Sequence, residues 1–164
     1  MVNIVGVGNV LMGDDGVGPA AVAALEGRFA EGAVRLHDAG LAAADVLSTL
    51  DPSDPLVLVD ALRTGAPAGT VHRVDLEDVW SAGLGAGRGG VSLHELGALP
   101  ALRMETLAGR EFRNVTVFGV EPGRVEWGMG LSPEVSRGLA RLVEAVCGHT
   151  DELLAEGLEG AQRT

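Results

Sequence analysis

A lone cysteine, Cys147, excludes an intrachain disulfide and any zinc motif built on paired cysteines. Aromatic residues make up only 3% of a chain that is 46% hydrophobic, so its core must be built from Val, Leu and Ala. Basic residues are scarce as well: 12 Lys and Arg stand against 23 Asp and Glu, and the net charge of -11 disfavours nucleic acid or an anionic membrane as a partner. No apolar run approaches the ~18 residues of a transmembrane span, and the first residues lack the basic stretch and cleavage pattern of a secretory signal. The expectation is a soluble, cytoplasmic protein with no membrane insertion, working as a monomer. There is no Gly-x-Ser-x-Gly elbow and no His-Glu-x-x-His, which removes two common hydrolase designs.

What is present is organised around residues 6–19. Val2, Ile4, Val5 and Val7 form a β-branched run suited to a strand buried on both faces. Ala21, Val22, Leu25 and Phe29 recur at helical spacing, and Pro19 fits only in the first turn of that helix. Between them lie several glycines and the adjacent carboxylates Asp14 and Asp15. Gly6-Val7-Gly8 suggests a dinucleotide fingerprint, but Leu11 occupies the place of the third glycine and the two negative charges would repel a pyrophosphate.

Further strands are expected at 33–37, 56–60, 70–74 and 115–120, with 70–74 alternating as an edge strand does. Helices are expected at 41–50, from the capping box Ser92-Leu93-His94-Glu95 onward with a kink or break at Pro100, and from Ser132-Pro133 to a stop at Gly148. The pattern predicts one α/β domain over residues 1–150: a mainly parallel, twisted five-stranded sheet with helices on both faces. The acidic and polar tail, 151–164, is expected to fray. Residues 81–90 hold five glycines and are expected to be mobile. Cys147 falls in the last helix and is expected to act as a small buried hydrophobe.

Asp15, Asp38 and Asp60 end strands, and His94 opens a helix straight after the glycine-rich stretch. In an open α/β sheet they can meet at the carboxyl edge, where ligands bind. Two carboxylates and an imidazole suit a divalent transition metal with open positions. Each residue also has a plain structural role available, as a helix cap or an Asx turn. An aspartic dyad of Asp15 and Asp60 is a further alternative, as is a non-enzymatic metal-site or precursor-binding module. Asp14 is expected to face elsewhere and to matter less.

The chain resembles the hydrogenase maturation proteases. The resemblance runs through Gly6-Val7-Gly8-Asn9-Val10-Leu11, Asp14-Asp15-Gly16, Leu58-Val59-Asp60-Ala61, Ser92-Leu93-His94-Glu95-Leu96, Gly119-Val120-Glu121-Pro122 and Gly130-Leu131-Ser132. It implies an endopeptidase that removes the C-terminal extension of a nickel-iron hydrogenase large-subunit precursor. Asp15, Asp60 and His94 would then bind the nickel carried by that precursor, or a surrogate divalent metal, with Asp15 and Asp60 as catalytic candidates. The turn of Asp38 and Gly40 would meet the substrate. This turn departs from the family pattern, because Leu41 follows Gly40 where a Thr is usual, and Pro100 is a second departure.

Overall fold

The computed structural model describes residues 1–76 and 97–162. The glycine-rich stretch 81–90 and the expected helix start with Ser92, His94 and Glu95 lie outside the described residues. In chain order the elements are β1 (Val2–Val7), a 3-10 turn (Gly13–Gly16), α1 (Val17–Leu25), β2 (Val34–Gly40), α2 (Ala43–Thr49), β3 (Leu56–Ala61), β4 (Val71–Asp75), α3 (Leu99–Leu107), β5 (Val115–Val120) and α4 (Pro133–Gln162). The strands form one sheet in the order β2-β1-β3-β5-β4. The first four run parallel, and the edge strand β4 runs antiparallel to β5.

Alternation along the central strands fills two cores. Val5 and Val7, Leu56 and Leu58, and Val115 and Val117 face Ala43 and Leu47 of α2 and Leu99 and Leu102 of α3. Val2 and Ile4, Val57 and Val59, and Phe118 and Val120 face Val17, Ala21 and Leu25 of α1 and Val135, Leu142 and Val146 of α4. All six residues of each of β1, β3 and β5 are buried, as strands covered on both faces must be.

This winding creates a crevice. From β1 the chain crosses through α1 on one face to β2, and from β2 it returns through α2 on the other face to β3, on the far side of β1. The connections therefore diverge between β1 and β3, which is the position where such sheets leave room for a ligand. α1 begins directly over this point, because Gly6 and Gly18 permit close approach. A Cβ on Gly6 would overlap the Gly18 carbonyl, and one on Gly18 would overlap the carbonyl oxygens of Val7 and Val59.

Two expectations need correction. Pro100 does not kink a helix; it stands in the first turn of α3, where its missing N–H costs nothing. Nor does the last helix stop at Gly148: α4 continues to Gln162. A helical glycine costs about 1 kcal/mol, whereas burying one leucine returns about 1.5–3 kcal/mol, and Leu153 is buried in the second core. His149 adds a contact between its Nε2 and Thr116 Oγ1 at 3.0 Å and a ring contact with Phe118. Cys147 is half-buried and packs against the same core. No helix among the described residues is long and apolar enough to cross a membrane.

The packed continuation of α4 makes Leu153→Ala costly. It should lower unfolding stability by about 2–3 kcal/mol, read from the midpoint of urea denaturation. A change below about 0.5 kcal/mol, typical of exposed positions, would mean that the end of α4 frays.

Candidate active site

Asp60 is the penultimate residue of β3, at the end of an unbroken apolar strand, and is only 3% exposed. Its Oδ1 accepts the Ala61 N–H at 2.8 Å and its Oδ2 accepts the Gly97 N–H at 2.9 Å. Burial is the main influence on its titration and pushes the pKa up to about 7. The two N–H donors oppose that rise, and the nearby Asp15 carboxylate adds to it.

Asp15 sits in the 3-10 turn that follows β1, across the crevice from Asp60, and is half-buried. Its Oδ2 accepts the Asn9 N–H at 2.7 Å, which ties the loop leaving β1 back onto the turn. Gly8, with φ +133, makes that fold-back feasible, since a Cβ there would overlap the Asp15 carbonyl. Each oxygen of Asp60, and Oδ2 of Asp15, thus accepts one N–H and keeps a lone pair for another partner. Two such carboxylates at one crevice, one of them buried, form a donor set suited to a cation. Among the described residues no third His, Cys, Asp or Glu joins them in a metal-holding group. His94 lies outside those residues.

Asp38, near the end of β2, pairs in register with Gly6 and is exposed. Its Oδ1 accepts the N–H of Gly40 at 3.2 Å, an Asx-type turn that also uses the positive φ of +50 at Gly40. Asp38 stands at a groove of about 330 Å³ lined also by Val10, Gly16, Pro19, Met129 and Leu131. The β2 turn therefore opens onto the groove, while Asp15 and Asp60 occupy the crevice beside it.

Asp14 faces away from the crevice, toward the segment 123–132. It is fully buried and takes four hydrogen bonds: Oδ2 from the N–H groups of Gly123 (2.9 Å) and Arg124 (2.7 Å) and from Ser132 Oγ (2.9 Å), and Oδ1 from the Ser132 N–H (2.6 Å). Burial by itself would raise its pKa; the donors from Ser132, Arg124 and Gly123 outweigh burial and hold it below the ordinary value. Ser132 Oγ also accepts the Val135 N–H at 3.4 Å and so caps α4. The two neighbouring aspartates divide their labour, one fixing the loop after β5 and the other facing the crevice.

Glu121 makes a second buried anchor. Its carboxylate accepts the Thr64 N–H (2.7 Å) and hydroxyl (2.8 Å) and the Gly65 N–H (3.2 Å), and His72 Nε2 lies 3.5 Å away. Burial works to raise its pKa too, but the Thr64 and Gly65 bonds and the facing His72 keep it lowered. These bonds hold the loop that leaves β3 just beyond Asp60. Both anchors are carboxylates beside turn residues, but their partners lie up to 118 positions away.

Two measurements check this electrostatic arrangement. With a folded-state pKa of about 7 against about 3.9 for an unfolded Asp, Asp60 favours folding most below the unfolded value, and this contribution is lost as pH rises through about 7. Thermal melts of the metal-free protein should therefore fall between pH 5.5 and 8 more steeply in wild type than in Asp60→Asn; equal slopes would contradict the burial argument. Asp14→Asn leaves an amide facing a backbone donor and removes a charged acceptor, so it should lower stability by about 2–3 kcal/mol in urea denaturation. An unchanged midpoint would rule out the anchor.

Comparison with known proteins agrees with this fold. A family model described as hydrogenase maturation protease matches residues 19–149. The Hydrogenase 2 maturation protease of Escherichia coli (strain K12) is 31% identical over 146 residues, covering 87% of this chain and 86% of that protein. The hydrogenase expression/formation protein HupD of Thiocapsa roseopersicina is 30% identical over 143 residues, covering 86% of this chain; the alignment spans 63% of that relative's length. Among solved structures, the hydrogenase maturating endopeptidase HybD from E. coli superposes with a TM-score of 0.76 at 27% identity, covering 92% of each chain. With a matching model over most of its length and a relative this similar across both chains, the protein belongs to the hydrogenase maturation protease family.

Proposed function

We propose that this chain is an endopeptidase that removes the C-terminal extension of a nickel-iron hydrogenase large-subunit precursor, and that it recognises the nickel already seated in that substrate. The endopeptidase names of the relatives support the activity, and the maturation role in those names supports a hydrogenase precursor as substrate. The observation that carries the nickel reading is the buried Asp60 carboxylate beside Asp15 at the β1/β3 crevice, each with acceptor capacity left over. In this reading Asp15, Asp60 and His94 approach the metal of the precursor, and the turn of Asp38 and Gly40 meets the polypeptide along the adjoining groove. The working form is a cytoplasmic monomer.

Peptide hydrolysis needs a base for the attacking water and an acid for the leaving amine. A carboxylate held near pH 7 serves both steps in turn, so Asp60 is the stronger catalytic candidate and Asp15 the second. The nickel ion of the substrate would supply Lewis acidity toward the scissile carbonyl or the water. An aspartic-type label fits these two carboxylates, although their partner in this reading is a metal-bearing substrate.

The test is processing of a nickel-loaded precursor, followed by mass spectrometry of the large subunit. Wild type should shorten it, while Asp15→Asn, Asp60→Asn and His94→Ala should each slow the reaction about a hundredfold or more and still melt cooperatively. A variant that processes at the wild-type rate removes its residue from the site. Failure of the wild-type chain on its own genome's precursors would sink the reading.

A further inference from the structure

The segment 123–131, between β5 and α4, is a closed loop whose two ends meet on one side chain. Gly123 and Arg124 at its start and Ser132 after its end all donate to Asp14. Its middle is fixed as well: Gly13 N–H donates to Gly128 O at 2.8 Å, Gly128 N–H to Leu11 O at 2.9 Å, and Asp14 N–H to Arg124 O at 2.9 Å. This much anchoring normally accompanies buried side chains, yet the loop displays Trp127 at 78% exposure and Met129 at 76%. Met129 is flanked by Gly128 (φ +152) and Gly130 (φ +88), conformations that hold the backbone in a shape other residues resist. Val10 and Leu11, on the loop bonded to Gly128, are also exposed.

An apolar surface held rigid in water is the preorganised form of a protein interface, and Trp and Met are enriched in such patches. Arg124 and Glu126, paired at 3.7 Å, supply a polar edge beside Trp127. The patch is continuous with the groove, since Val10 and Met129 line it together with Asp38. A polypeptide lying in that groove would contact Met129.

We infer that Trp127 and Met129, held out by the Asp14 anchor, form the docking surface for an apolar patch on the folded body of the precursor. This rests on the reading of the substrate as a protein precursor. The docking surface selects a folded partner, while the crevice acts on its tail. Asp14 is then a positioning residue that holds the contact residues without touching the substrate.

Oxidative footprinting of the wild-type chain, with and without saturating purified precursor, tests this with no substitution at all. Trp127 and Met129 should be protected several-fold, and exposed Leu158 at the far end of α4 should not. In parallel, a Trp127→Ala/Met129→Ala variant should bind the precursor with a Kd raised about tenfold or more, with its Tm unmoved, while Leu158→Ala keeps the wild-type Kd. Cutting without protection of the loop overturns the docking surface and leaves the protease reading standing. Protection without cutting does the reverse, and a wild-type chain that neither binds nor cuts the precursor overturns both.

Discussion

One buried carboxylate organises the functional edge of this molecule. Asp14 collects its four donors from both ends of the 123–132 segment, so the turn after β1, the loop after β5 and the start of α4 are fixed to one another at a point. A charged acceptor without donors would be expensive to bury, and losing any one donor would leave its neighbours to carry the charge. Asp15, the next residue, inherits its place from that anchor. The position of the crevice residue therefore depends on a neighbour that faces the other way.

Asp60 has the opposite electrostatic character. Asp14 is supplied with enough donors to remain charged in a dry site; burial pushes Asp60 up to about 7, because its two N–H donors offset only part of that burial and the nearby Asp15 carboxylate adds to it. Such tension disfavours the folded chain on its own and would be relieved by a cation lodged between the two carboxylates.

Much of this was legible in the sequence because it is written in short-range pattern. The apolar run ending in Asp60 marked a buried strand with a carboxylate at its tip, and β1, β3 and β5 fall within a residue of their expected bounds. β2 proved longer, reaching Gly40, because pairing with β1 carries it past His37 to the Asp38 turn. The end of α4 was misjudged because Gly148 is a local stop signal, whereas Leu153 and His149 gain their partners from tertiary packing. The donors to Asp14 were illegible for a related reason: periodicity places a residue on an element but says nothing of groups more than a hundred positions away. The antiparallel direction of β4 was likewise invisible, since alternation marks an edge without giving its polarity.

In the proposed function, the paired carboxylates of the β1/β3 crevice act on a precursor because it carries nickel. The most direct measurement is a paired incubation of the purified chain with one precursor prepared nickel-loaded and nickel-free, following the mass of the large subunit over time. Loss of the C-terminal extension is expected from the loaded precursor alone. Equal trimming of the nickel-free precursor would contradict it.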